Sequence, residues 1–194
     1  MDNTILIALY NTAIVMFLIL AVGLLIGGLK LLLTKLLVSV FGANFADFFL
    51  NKFTFIGVVH HELSHALFAV LTGAKVVEIH LFKIEEDSLG KMVYISRGIF
   101  LTRCIQDFLT AIAPTVCGGI SIFCMIYFIP FNAVWQYIVF GFLILCIFIH
   151  MEMSIQDIKV GAKGIPILLI IIFCVFYFTK VDLISIVANW IKGV

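Results

Sequence analysis

His61-Glu62-Leu63-Ser64-His65 is the stretch of this chain whose residue types and spacing can do chemistry. On a helix, two residues four apart lie on one face, one turn above the other. Two imidazoles so placed can share one tetrahedral metal ion, and the glutamate beside the first reaches a water rather than the metal. The HExxH spacing therefore assigns His61 and His65 to zinc and Glu62 to a general base. Zinc brings the pKa of its water toward about 7. A neighbouring carboxylate can then take a proton from that water and later hand it to a departing amine. This is the chemistry of hydrolysis at a carbonyl.

The setting sharpens that reading. The triplet lies between Phe-Ile-Gly-Val-Val and Ala-Leu-Phe-Ala-Val-Leu, in the middle of an apolar run. A carboxylate there costs several kcal/mol unless it is paired or reaches a wet cavity, so ionisable residues in such a run point to function. Two helix-packing histidines are the plainer alternative. His60 projects about 100° away from His61, which suits an interhelical hydrogen bond or a cavity wall better than a ligand.

Zinc with an open catalytic position needs a third protein ligand. Residues 108–149 hold no charged side chain, and the next candidates are His150, Glu152 and Asp157. Asp157 is the preferred ligand and Glu152 the runner-up; composition does not rank the two well. The competing role for Asp157 is a helix cap or a solvated loop residue.

The elements that must position these residues belong in lipid. The chain has 194 residues, 64% hydrophobic and 12% charged, with a mean hydropathy of +1.26. Soluble domains carry about 45–50% apolar and about 25% charged residues, and a soluble fold of this size could not hide the excess. A net charge of +1 gives no basic field for nucleic acid. The five cysteines are odd in number and form no CxxC, so they read as small hydrophobes. The N-terminus lacks the basic start and short apolar core of a secretory signal and reads as a retained helix.

Apolar runs of about 20 residues mark spanning helices. They fall at about 5–29, 53–71, 105–129, 133–150 and 165–178, with Gly73 and Pro130 as stops. Gly23-x-x-x-Gly27 offers a small face for another helix, although glycine is common in membrane helices. Residues 30–52 mix Lys35, Asn44 and Asp47 with phenylalanines and suggest an interfacial or irregular segment. Val76–Phe82 and Lys91–Ile95 read as a β-hairpin around an acidic connection, Glu85–Gly90, and must avoid open hydrocarbon. Trp190 and Lys192 suit an interface anchor. The expected fold is an all-α polytopic membrane protein with about five transmembrane helices and a small surface β-hairpin. Its units are an N-terminal helix and interfacial segment (1–52), a core (53–164), and a C-terminal helix and tail (165–194).

The residues His61-Glu62-Leu63-Ser64-His65-Ala66, Leu71-Thr72-Gly73, the β-like segment from Val76, Ala111-Ile112-Ala113-Pro114 and Ser154-Ile155-Gln156-Asp157 resemble the site-2 protease family of intramembrane zinc proteases, in its shorter form without a PDZ domain. The resemblance covers about residues 53–170. It implies a three-helix catalytic core with one zinc ion held by His61, His65 and Asp157, and Glu62 activating water. It also implies membrane-spanning protein substrates in the bilayer, presented in extended form by a hairpin facing the cytosol. Ile158 follows Asp157 where that family usually has glycine.

Charge bias agrees weakly with that orientation. Lys75, Lys83, Lys91, Arg97, Arg103, Lys159 and Lys163 on the hairpin side outnumber Lys30, Lys35, Lys52, Lys180 and Lys192 on the other, which favours a cytoplasmic hairpin; the expected membrane is that of the cell. Two further readings stand beside the protease. One is a non-catalytic zinc-containing membrane protein binding a partner; an intact Glu62 argues against it, because a structural zinc site needs no base. The other is a membrane zincin of the prenyl-protein protease type, for which Glu152 is the late glutamate.

Overall fold

Helix α1 (Asn3–Phe41) is one continuous element in the computed structural model, which describes residues 3–81 and 90–193. An interfacial or irregular segment was expected from Lys30, but the helix runs on. Residues 31–37 are leucine-rich good helix formers, and Thr34 donates its hydroxyl to the Lys30 carbonyl at 2.9 Å. Gly42 stops the helix at φ 86°, a backbone conformation that residues with a Cβ avoid.

A short α2 (Ala43–Asp47) and a π-helical turn (Phe48–Phe53) then bend by 50° into α3 (Phe55–Leu71). Phenylalanines four residues apart run along this segment: Phe41, Phe45, Phe49 and Phe53, with ring centroids 4.8, 6.1 and 5.3 Å apart, the last meeting Phe142 at 5.1 Å. Thr54 is fully buried at the bend and donates to the Leu50 carbonyl at 2.8 Å.

Gly73 ends α3 at φ 84°, as its position in the sequence suggested. Strands β1 (Lys75–His80) and β2 (Lys91–Ile95) pair antiparallel, with Val76 opposite Tyr94, His80 opposite Lys91, and an irregularity between Val76 and Glu78. Phe82 and the acidic connection from Glu85 to Leu89 lie outside the described residues. Buried Gln106 on α4 (Phe100–Phe128) ties the two ends of this unit together. Its amide donates to the Thr72 carbonyl at 2.8 Å and accepts the Arg97 N–H at 2.8 Å.

The chain continues through α5 (Val134–His150), α6 (Ile155–Gly161), a single 3₁₀ turn, α7 (Ile165–Thr179) and α8 (Leu183–Lys192). Among the described residues, α1, α4 and the stretch Ile155–Thr179 are long and apolar enough to cross a membrane, and the bent pair Ala43–Phe53 with Phe55–Leu71 makes a fourth. The expectation of about five is therefore revised to three or four. At 17 residues α5 is a shorter apolar helix, at the low end of the about 17–25 residues of a span. The outward side chains of these helices, such as Phe17, Leu24, Phe123 and Ile170, are more than half exposed and require lipid, as in an integral membrane protein.

Close helix packing rests on glycine. A Cβ on Gly57 of α3 would lie 2.0 Å from the Cys146 carbonyl oxygen of α5. One on Gly118 would meet Met151 Cβ at 2.7 Å, and one on Gly161 would meet Ala111 Cβ at 2.8 Å. These contacts are the small-residue approach typical of membrane helices. Gly23 has nothing within 4 Å of its Cβ position, and Gly27 faces Glu152 at 3.6 Å, so the Gly23/Gly27 pair is not a helix-packing face among the described residues. Helix α1 runs antiparallel to α7. Fully buried Asn11 donates to the Val181 carbonyl at 2.6 Å and accepts the Leu183 N–H at 3.3 Å. Trp190 on α8 is 83% exposed.

Candidate metal centre and active site

Two elements bring His61, His65 and Asp157 together. Helix α3 supplies the histidines, one turn apart on one face. Asp157 enters from α6, after the break in helix between His150 and Ile155. One ligand atom from each of the three lies within 4.8 Å of the others. His65 Nε2 is 3.3 Å from Asp157 Oδ1, and His61 Nε2 is 3.8 Å from Oδ2.

Both imidazoles are fixed through the far nitrogen. His61 Nδ1 donates to the His150 carbonyl at 2.6 Å, and His65 Nδ1 donates to the Thr110 carbonyl at 2.7 Å. Each acceptor is a helix carbonyl without its usual partner. His150 is the last residue of α5, where carbonyls lack intrahelical donors. Thr110 lies four residues before Pro114 inside α4, and proline has no N–H to offer. When both rings are neutral and both Nδ1 atoms donate, both Nε2 atoms carry lone pairs, and these stand 3.0 Å apart. Two neutral rings in that tautomer repel there, and a cation between them relieves the repulsion.

Asp157 is held as firmly. Ser154 caps α6 by accepting the Asp157 N–H at 3.1 Å, while the Asp157 Oδ2 accepts from the Ser154 N–H at 2.8 Å and from its hydroxyl at 2.6 Å. This reciprocal cap satisfies Oδ2 and leaves Oδ1 facing His65. Capping and facing the histidines, weighed above as alternatives, are the same geometry.

The donor set fits zinc. Two imidazole nitrogens and one carboxylate oxygen are ligands of a catalytic zinc site, and bonds of about 2.0–2.1 Å place tetrahedral ligand atoms about 3.3 Å apart. The measured separations of 3.0, 3.3 and 3.8 Å lie around that value.

Glu62 lines the same cavity of about 810 Å³ as the three, together with Gly90 to Tyr94 of the hairpin, Asp107, Thr110 and Lys163. The Met92 backbone amide of β2 approaches its carboxylate. A Cβ on Gly90 would lie 2.7 Å from Glu62 Cγ, so the hairpin packs directly against this side chain.

The runner-up ligand is engaged elsewhere. Glu152 accepts from the Lys30 ammonium of α1, a pair that pins α1 to the segment before Asp157. The His150 ring meets the Thr54 hydroxyl at 3.0 Å. His60 Nε2 contacts Ser121 Oγ at 3.0 Å across to α4, the interhelical role expected of it. Sequence reasoning missed the Lys30–Glu152 pair and the hydrogen bond from the Tyr94 hydroxyl to Asp107 Oδ1 at 3.2 Å. It also missed the Thr110 carbonyl, for which a proline four residues downstream inside an apolar helix was the available signal.

The sequence profile described as peptidase M50B-like matches residues 31–192, most of the chain and all of this site. The chain belongs to the peptidase M50B-like family. The resemblance to site-2 proteases drawn from the motifs is thereby confirmed at the level of family, which is one of membrane metalloproteases. No curated protein and no solved structure matches the chain.

Proposed function

We propose that this family member is an intramembrane zinc endopeptidase. Its substrates would be membrane-spanning or membrane-proximal protein segments. The observation that carries the proposal is the convergence of His61 Nε2, His65 Nε2 and an Asp157 oxygen on one cavity that Glu62 also lines. His61, His65 and Asp157 hold one zinc ion per chain. When bound, the ion supplies Lewis acidity to water and to the substrate carbonyl.

The remaining work falls to this chain's own side chains. The His150 and Thr110 carbonyls keep both rings in the tautomer that presents Nε2. Glu62 takes a proton from the attacking water and returns it to the leaving nitrogen as the peptide bond breaks. The β2 strand lies beside Glu62 through the Met92 backbone, and an extended substrate segment can pair with such a strand edge. The hairpin side is cytoplasmic and the membrane is that of the cell surface. The larger basic set on that side supports this orientation, and Lys30, paired with Glu152, is no longer a loop charge on the other side.

Metal analysis of the purified chain together with Glu62→Gln tests the reading. Zinc at one per chain in both proteins, with cleavage confined to the wild type, is the expected result. Zinc in both with no peptide hydrolysis by the wild type would favour a non-catalytic zinc protein.

A further inference from the structure

The cavity wall built by β2 and α4 holds a polar cluster that zinc binding and Glu62 leave unused. The Tyr94 hydroxyl donates to Asp107 Oδ1 at 3.2 Å, beyond the usual 2.5–3.0 Å of an O–H···O bond. Catalytic hydrogen bonds are often long before substrate arrives. Thr110 Oγ1 is buried beside the Tyr94 phenol without a hydrogen bond of ordinary geometry among the described residues, while the carbonyl of the same residue holds His65. Tyr94, Asp107 and Thr110 all line the cavity that contains the metal centre.

We infer that the Tyr94 hydroxyl is a further catalytic group, donating a hydrogen bond to the scissile carbonyl oxygen as that oxygen gains negative charge, with Asp107 and Thr110 positioning it. This rests on the peptidase reading. In the step concerned, the water oxygen bonds to the carbonyl carbon and the π pair moves onto the carbonyl oxygen. Glu62 receives the water's proton and delivers it to nitrogen as the C–N bond breaks, giving a carboxylic acid and an amine. Tyr94 keeps its own proton throughout. A neutral donor aimed at developing charge in a water-poor site needs no reorganisation during the reaction. Burial first, and then the Asp107 charge, push the Tyr94 phenol above its ordinary pKa, so it stays a donor and is unsuited to act as a base. When Tyr94 turns from Asp107 toward substrate, the Thr110 hydroxyl beside it is available to donate to the phenol oxygen.

The full chain in detergent, zinc-loaded, decides the matter as wild type, Tyr94→Phe, Asp107→Asn and Glu62→Gln. The readouts are zinc content, kcat and KM on fluorescein-labelled β-casein, and calorimetric binding of a phosphinic tripeptide beside acetohydroxamate. Tyr94→Phe is expected to keep its zinc and its KM and to lose about 10²–10³-fold in kcat. Its affinity for the tetrahedral phosphinic peptide falls with kcat, while its hydroxamate affinity holds. Asp107→Asn, which still offers an acceptor, loses less than Tyr94→Phe. Unchanged phosphinic-peptide affinity in Tyr94→Phe overturns the inference, as does a loss shared by zinc content and KM, which would mean that Tyr94 only anchors the hairpin. If Glu62→Gln is inactive while Tyr94→Phe cleaves normally, this inference alone fails. If Glu62→Gln cleaves like the wild type, the peptidase reading fails with it. The phosphinic-peptide comparison decides even if casein is not cut.

Discussion

Pro114 removes the backbone donor that the Thr110 carbonyl would meet in an unbroken helix, and that carbonyl accepts the His65 Nδ1 proton at 2.7 Å instead. A proline inside a helix normally costs about 3 kcal/mol or more. In α4 the freed carbonyl sets the tautomer of a proposed zinc ligand. The His150 carbonyl, freed by the end of α5, does the same for His61. The partners of such ligands are worth about 10–100-fold in metal affinity.

Pro114→Ala restores an N–H that competes for the Thr110 carbonyl. Zinc affinity is expected to fall about tenfold, while the helix itself becomes no less stable. A chelator competition titration measures the first and thermal unfolding in detergent the second. Unaltered zinc affinity would show that the carbonyl does not orient His65.

Ser154→Ala removes the hydroxyl that caps α6 and holds Asp157 Oδ2. The cap is worth about 1 kcal/mol, and freeing the carboxylate should lower zinc affinity about tenfold. Ser154→Thr retains the hydroxyl and should restore both. Equal zinc affinity in the alanine and threonine variants would contradict the role given to the cap.

The two acidic residues after α5 make different contacts, Glu152 with Lys30 and Asp157 with the two histidines. Asp157→Asn should lose zinc in metal analysis, whereas Glu152→Gln should keep it and only weaken the contact with Lys30. The opposite ranking would return the third ligand to Glu152.

Gly57→Ala places a methyl group where the Cys146 carbonyl oxygen lies 2.0 Å and His150 Cδ2 2.5 Å away. Overpacking of this kind costs about 1–3 kcal/mol and displaces the residue that orients His61. Both the unfolding temperature and zinc content should drop. Gly119→Ala, with nothing within 4 Å of the new atom, should leave both unmoved. Similar behaviour of the two variants would refute the close α3–α5 contact.

Local signals in the sequence were reliable. The i, i+4 spacing of His61 and His65, the β-branched runs of the hairpin and the stop at Gly73 all follow from short-range rules and recur in the structure. Long-range relationships were less legible. Lys30 and Glu152 lie 122 residues apart, and only the fold reveals that they neutralise each other. That pairing also explains why residues 30–41 continue a helix despite two lysines: Lys30 has a partner inside the bundle. Asp157 was preferred to Glu152 from the sequence, where both are acidic residues close after one helix; the contact of Glu152 with Lys30 appears only in the fold. Pro114 was visible as a motif element, but its effect on Thr110 depends on which helix packs against that carbonyl.

In the proposed site His61, His65 and Asp157 hold zinc for hydrolysis with Glu62 as base. The most direct test measures zinc stoichiometry and peptide-bond cleavage on the same preparations of wild type and Glu62→Gln. One zinc per chain in both and cleavage only in the wild type is the expected result. A wild type that binds no zinc, or a Glu62→Gln variant that cleaves at the wild-type rate, would contradict it.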